Sequence, residues 1–252
     1  MRVGRDRENE TILIDQGLYI DKILKKFNMQ NCQSVSTPET TVSLSELNSD
    51  EMSVQDKEYM KRVPYREAIG ALLYAAICTR PDIAHAVNQV SQYQINPTPT
   101  HWMAVKRIIR YLKSCTNIGL EFKRNHEDIK YNLQLSCYCD ANWAQDKLDR
   151  KSVGGYLVRI NNDVVSWQVK KQSTVALSST EAEYMQATQA AKEVKWFLNL
   201  FTELYNISED EYYKPHTVMY CDNQSAIELS NNDIYHDRTK HIDLSYHFIR
   251  EC

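Results

Sequence analysis

Near residue 129 the spacing of apolar residues changes from the period of helices to the period of strands, which divides the chain into two parts with different folding instructions. Before that point, Tyr65, Ile69, Leu72, Leu73 and Ala76 recur at helical spacing directly after Pro64. Pro81 suits a first helical turn and predicts a second helix to about Tyr93. Trp102, Val105, Ile108, Ile109 and Leu112 form the stripe of a third, entered through Pro99 and Thr100. Such stripes are core-forming and carry no sign of a cofactor box. After it, Leu133, Leu135, Cys137 and Cys139 alternate with Gln134, Ser136, Tyr138 and Asp140, the pattern of a strand. SVGGYLVRI and VVSWQV flank the turn INND as a hairpin. A long helix over about 180–205, capped by Ser178 or Ser179, comes next. The strand TVMYCD and the helical NQSAIEL follow it. The order strand, strand, strand, helix, strand, helix predicts an α/β layered domain with a mixed sheet.

Upstream, Tyr19, Ile20, Ile23, Leu24 and Phe27 share one side of a short amphipathic helix over residues 19–28. Residues 34–58 are rich in Ser, Thr, Asp and Glu with little apolar periodicity and read as a linker. No internal repeat occurs. At 42% hydrophobic and 25% charged, the 252 residues match an ordinary globular chain of one or two domains. No run of about 18 apolar residues exists, so no association with a membrane is expected. The charged opening MRVGRDRENE has no apolar h-region, which argues against secretion. Seven scattered cysteines (Cys32, Cys78, Cys115, Cys137, Cys139, Cys221 and Cys252) form no CxxC pair, so they read as reduced thiols of an intracellular protein.

A net charge of −3 argues against gripping nucleic acid by bulk charge. Two basic clusters stand out: Lys106, Arg107, Arg110 and Lys113, then Lys147, Arg150, Lys151, Arg159, Lys170 and Lys171. Each reads equally as a binding strip or a solvated face.

Three carboxylates stand out because of where these elements put them. Asp140 lies near the end of the first strand of the second part, in YCDANW, and Asp222 ends the strand after the long helix, in MYCDNQ. Carboxylates at the ends of neighbouring strands converge at one sheet edge, which suits divalent cations. Asp222 also occupies an N-cap position ahead of NQSAIEL, and both readings stand at this point. On the long helix, Ala187, Ala190, Val194, Phe197, Leu198 and Phe201 form one apolar stripe, and Glu183 projects onto its centre. A carboxylate on such a face is costly to bury unless a cation or donor meets it. Glu181 projects to the opposite face beside Lys192 and Asn199, where water suffices.

These residues lie in segments with a family resemblance. YCDANWA, SWQVKKQSTVALSSTEAEY, YCDNQSAI and RTKHIDLSYHFIRE resemble the ribonuclease H region of copia-type retrotransposon Pol polyproteins. PYREAIGALLYAAICTRPDI and HWMAVKRIIRYLK resemble that family's connection between polymerase and ribonuclease H. The opening MRVGRDR, YIDKILKKFNM and STPE resemble the tail of its reverse transcriptase. The resemblance implies four segments: a reverse transcriptase tail over 1–33, a polar linker over 34–62, a helical connection region over 63–128, and a ribonuclease H-like domain over 129–252. It further implies cleavage of the RNA strand of an RNA/DNA hybrid. In that chemistry Asp140 bridges two Mg²⁺ ions roughly 4 Å apart, with Glu183 and Asp222 completing the ligands of one. Mn²⁺ would substitute for Mg²⁺, and 2′-hydroxyl contacts would select the RNA strand. The implied partners are the hybrid, reverse transcriptase and virus-like particle components, and the implied setting is the cytoplasm or nucleus.

Two departures qualify the resemblance. No YxDD-type polymerase pair occurs. The family also continues past HFIRE into a strand and an ADILTK-like helix that carries a fourth carboxylate, whereas this sequence stops at Cys252. The expected fold class is therefore α/β: a ribonuclease H-like mixed sheet with flanking helices, C-terminally truncated, preceded by a small helical connection region. Among the downstream acids Asp233, Asp237 and Asp243, Asp243 is the candidate substitute for the fourth carboxylate. His236, His241 and His247 match no strong metal spacing. Two functions compete: a Mg²⁺-dependent ribonuclease H, and a catalytically impaired relic or host-adopted fragment that only binds nucleic acid or protein. A particle scaffold ranks third.

Overall fold

The apolar stripes fold as helices and the alternating segments as strands, in a computed structural model that describes residues 1–39, 44, 52–124, 133–146, 149–205 and 216–231. Two compact units meet in sequence between Lys123 and Arg124.

The first unit opens with the antiparallel hairpin β1 (Arg2–Asp6) and β2 (Thr11–Asp15). Its turn forms because Asp6 Oδ1 accepts the backbone N–H groups of Glu8 and Asn9 at 2.9 and 3.1 Å. β3 (Gly119–Lys123) pairs with β2 and completes an antiparallel sheet ordered β1-β2-β3. The sequence reading contained no such sheet. β1 is exposed along its whole length and therefore lacks the alternation that marks a half-buried strand.

Among the described residues, the hairpin is followed by the α-helices α1 (Gly17–Lys26), α2 (Val54–Arg62), α3 (Tyr65–Cys78), α4 (Ala84–Ser91) and α5 (Pro99–Ser114), with a 3₁₀ turn over Pro81–Ile83. Ile20 and Ile23 of α1 share one core with Ile69, Leu72, Val87, Val105 and Ile109. Helices from segments read separately in the sequence, over 1–33 and 63–128, thus pack together. The polar stretch is not structureless throughout. Ser53 Oγ accepts the Asp56 N–H and starts α2, and Leu44 is buried, its carbonyl accepting from His101 Nε2. Part of the first basic cluster has a structural task. Arg107, Arg110 and Lys113 of α5 donate to Thr37 Oγ1, the Gln33 carbonyl and the Cys32 carbonyl, holding that segment against the helix.

Arg80 is fully buried in this unit. Its guanidinium donates twice to the Asp82 carboxylate, at 2.9 and 2.7 Å, and once to the Cys115 carbonyl at 2.9 Å. The Tyr111 hydroxyl donates to the same carboxylate.

The second unit is a four-stranded mixed sheet ordered β6-β5-β4-β7. β4 (Gln134–Asn142), β5 (Val153–Ile160) and β6 (Asp163–Lys171) pair antiparallel, and β7 (His216–Tyr220) joins β4 in parallel. α6 (Ser179–Tyr205) covers one face, where Ala190, Val194, Phe197 and Phe201 pack on Leu133, Leu135, Cys137, Cys139 and Val158. α7 (Gln224–Asn231) follows β7. The α/β class with a mixed sheet is as the sequence order predicts. Among the described residues no helix is long and apolar enough to cross a membrane.

Removing one partner of a buried, hydrogen-bonded ion pair leaves the other charge unmet. Asp82→Ala is expected to destabilise the first unit by about 3 kcal/mol, measured by denaturant unfolding. Burial alone would raise the Asp82 carboxyl, but Arg80 and the Tyr111 hydroxyl hold it below the usual carboxylate range. The pair's contribution is therefore complete above the unfolded carboxyl's pKa and fades as pH falls through the folded value. The parent's advantage over the variant should shrink in strong acid.

Candidate active site

β4 and β7 run in the same direction, with Tyr138 opposite Tyr220. The tripeptides Tyr138-Cys139-Asp140 and Tyr220-Cys221-Asp222 consequently lie side by side. The two tyrosine rings stack on the outer face, with centroids 4.7 Å apart and planes 13° apart. Cys139 and Cys221 turn toward the core under α6. Asp140 and Asp222 end up exposed near the C-terminal ends of the two strands. On its other side Asp140 pairs with Gly155 of β5, so no cross-strand side chain stands opposite it.

The first turns of α6 supply the third carboxylate. Ser178 is the cap: its Oγ accepts the Glu181 N–H and its carbonyl accepts the Ala182 N–H, both at 3.1 Å. Glu183 is 5% exposed. Its Oε1 accepts the Ala141 N–H at 3.1 Å, and its Oε2 is buried without a hydrogen-bond partner among the described residues. Burial pushes the Glu183 carboxyl up to about 7, the Ala141 N–H opposes that shift, and the charges of Asp140 and Asp222 add to it. The three carboxylates named from the sequence are thus brought together, with Glu183 between the two aspartates electrostatically.

Two expectations change. Glu181 does not face water: it is 7% exposed, and its Oε2 accepts the Leu177 N–H at 2.8 Å, which secures the chain entering α6. The helical wheel missed this because the donor lies in the loop before the helix. Asp222 does not cap α7. Asn223 does, its Oδ1 accepting the Ala226 N–H at 3.0 Å, which leaves the Asp222 carboxylate available. Part of the second basic cluster is internally neutralised, with Lys171 paired to Asp146 and Asp149. Lys147, Asp233, Asp237, Asp243, His236, His241 and His247 lie outside the described residues.

The donor set fits a divalent cation. Glu183, Cys221 and Asp222 each place a ligand atom within 4.8 Å of the others, and the buried Glu183 Oε2 has no donor to accept from among the described residues. Cys221 was missed in the sequence reading. The signal for it was the repeat of Tyr-Cys-Asp at 138–140 and 220–222.

A carboxyl whose folded pKa of about 7 exceeds its ordinary 4.5 takes up a proton on folding between those values. Without a cation, stability should fall as pH rises from about 4.5 to about 7 and stay low above it. Glu183→Gln keeps an acceptor for the Ala141 N–H and adds a donor facing the aspartates. Its expected effect is a gain of about 1–3 kcal/mol at pH 8 in chelator, shrinking toward pH 5, read by thermal and denaturant melts. Equal stability at pH 8 would contradict the orphaned oxygen.

No family model matches the chain, and no solved structure matches it. Among curated proteins, it is 44% identical over 251 residues, 100% of its length, to the retrovirus-related Pol polyprotein from transposon TNT 1-94 of Nicotiana tabacum. It is 38% identical over 243 residues, 94% of its length, to the Pol polyprotein from transposon RE2 of Arabidopsis thaliana. The chain spans only 18% and 16% of those two proteins. Over 137 residues, 54% of its length, it is 50% identical to secreted RxLR effector protein 161 of Plasmopara viticola and covers 93% of that protein.

Proposed function

The chain belongs to the retrovirus-related Pol polyproteins of copia-type transposons, and from that premise we propose that its second unit is a ribonuclease H that cleaves the RNA strand of RNA/DNA hybrids. The observation that carries this reading is the convergence of Glu183 from α6 with Asp140 and Asp222 from two parallel strands, one carboxylate oxygen buried and unmet. The mixed sheet with a long helix across one face is compatible with a ribonuclease H-like fold.

Asp140, Glu183 and Asp222 would hold Mg²⁺, whose hard-oxygen preference they satisfy. Bound there, Mg²⁺ supplies Lewis acidity to the scissile phosphate and lowers the pKa of a water at neutral pH. The chain's own part is positional. The Ala141 N–H fixes Glu183 Oε1, so Oε2 keeps one direction. Exposed Asp140 and Asp222 leave the approach open to a polymeric substrate, while the buried floor under α6 excludes water from one side of Glu183. The substrate during reverse transcription would be the hybrid made by the polymerase region of the same polyprotein.

The test is cleavage of a labelled RNA/DNA hybrid by the purified chain in Mg²⁺ or Mn²⁺. Loss of a group that merely supports a metal ligand lowers metal affinity or activity about 10–100-fold, so loss of a ligand should exceed that. Asp140→Asn and Asp222→Asn are each expected to reduce cleavage at least about a hundredfold. Folded parent protein that binds hybrid without cutting it would overturn the ribonuclease H reading in favour of a binding module.

A further inference from the structure

The carboxylate cluster contains sulfur. Cys221 Sγ lies within 4.8 Å of ligand oxygens of both Glu183 and Asp222. Cys139 lies on the neighbouring strand β4, its thiol donating to the Tyr220 carbonyl just before Cys221 at 3.5 Å. Glu183, only 5% exposed, belongs to this cluster and carries one oxygen that is buried with no hydrogen-bond partner among the described residues. We propose that Glu183, Cys221 and Asp222 form a mixed sulfur and oxygen site for one thiophilic divalent cation of the Zn²⁺ class, in competition with Mg²⁺.

The chemistry distinguishes the two cations. Zn²⁺ and its heavier congener Cd²⁺ accept one thiolate with two carboxylates in a four-coordinate arrangement, leaving one position for water. Mg²⁺ requires oxygen donors in an octahedron and gains little from a sulfur. As the metal–sulfur bond forms, the Cys221 thiol gives its proton to solvent. The bound cation then satisfies Glu183 Oε2 and offsets the repulsion among the carboxylates. Because Glu183 and Asp222 serve both ions, binding of one excludes the other. The site shares these residues with the ribonuclease H reading but does not depend on turnover.

The test uses the full chain, kept reduced by a thiol-free reductant and titrated with Cd²⁺ while the ultraviolet charge-transfer band of the cadmium–thiolate bond is followed. The parent should show a component that Cys221→Ser and Cys221→Ala both lose, with folding verified by circular dichroism. Asp222→Asn should keep that component but need at least about a hundredfold more Cd²⁺, since loss of a ligand exceeds the loss of a group that merely supports one. Excess Mg²⁺ should move the parent curve to higher Cd²⁺. If the Cys221 variants titrate like the parent, the band belongs to other cysteines and the proposal fails; it fails also if Mg²⁺ leaves the curve unmoved. Hybrid cleavage on the same preparations separates the two readings. Cutting with no Cys221-dependent band overturns only the cation site, whereas a band displaced by Mg²⁺ without cutting overturns only the ribonuclease H assignment.

Discussion

The second unit depends on one contact, the 3.1 Å hydrogen bond from the Ala141 N–H to Glu183 Oε1. It ties the first turns of α6 to β4 one residue past Asp140, so the glutamate and the aspartate cannot be placed independently. A close approach is needed to make it, and small residues provide the room. Ala141, Ala176 and Ala182 pack together, buried, beside the contact. Gly154 on β5 allows Gln186 of α6 to come in: a Cβ there would stand 2.2 Å from Gln186 Oε1. Larger side chains at the three alanines would push α6 outward and open the contact, since packed interiors transmit strain over short distances, whereas at Gly154 the Gln186 side chain itself would have to move.

Arg80 and Glu183 are both buried charged residues, but their surroundings differ. Arg80 in the first unit is fully buried, and its donors meet both Asp82 oxygens and the Cys115 carbonyl. Its demand is met within the fold, which marks a structural ion pair. Glu183 is nearly as buried, yet among the described residues only one of its oxygens has a partner, and the charges of Asp140 and Asp222 beside it are of the same sign. An unmet, like-charged buried carboxylate is a liability for stability that a cation removes. The sequence carries the same contrast: Asp82 follows Arg80 by two residues, while Glu183 has no basic residue near it on the helix.

The placing of the three carboxylates is largely legible in the sequence. The centre of the apolar stripe on α6 identified Glu183, and strand ends identified Asp140 and Asp222, because periodicity reports which way a side chain faces. The same periodicity misplaced Glu181, whose partner Leu177 lies outside the helix and so outside the wheel. It was blind to β1 and β3. β1 has no buried face, and β3 is only partly covered, so neither leaves a clear alternation to read. The cysteines were judged by spacing along the chain, whereas Cys139 and Cys221, far apart in sequence, become neighbours through parallel pairing.

That pairing also explains why the repeated tripeptide matters. Side chains alternate along a strand, so a one-residue slip of β7 against β4 would turn every residue to the other face. Tyr220 would enter the core, Cys221 would leave it, and Asp222 would lose its place beside Glu183. The Tyr138–Tyr220 stack opposes such a slip, a cross-strand aromatic pair being worth about 0.2–1 kcal/mol. Cys139 and Cys221 add a second check, because both fit only the face under α6. The stacked rings thus act on the carboxylates without touching them: they fix the register from which both aspartates emerge.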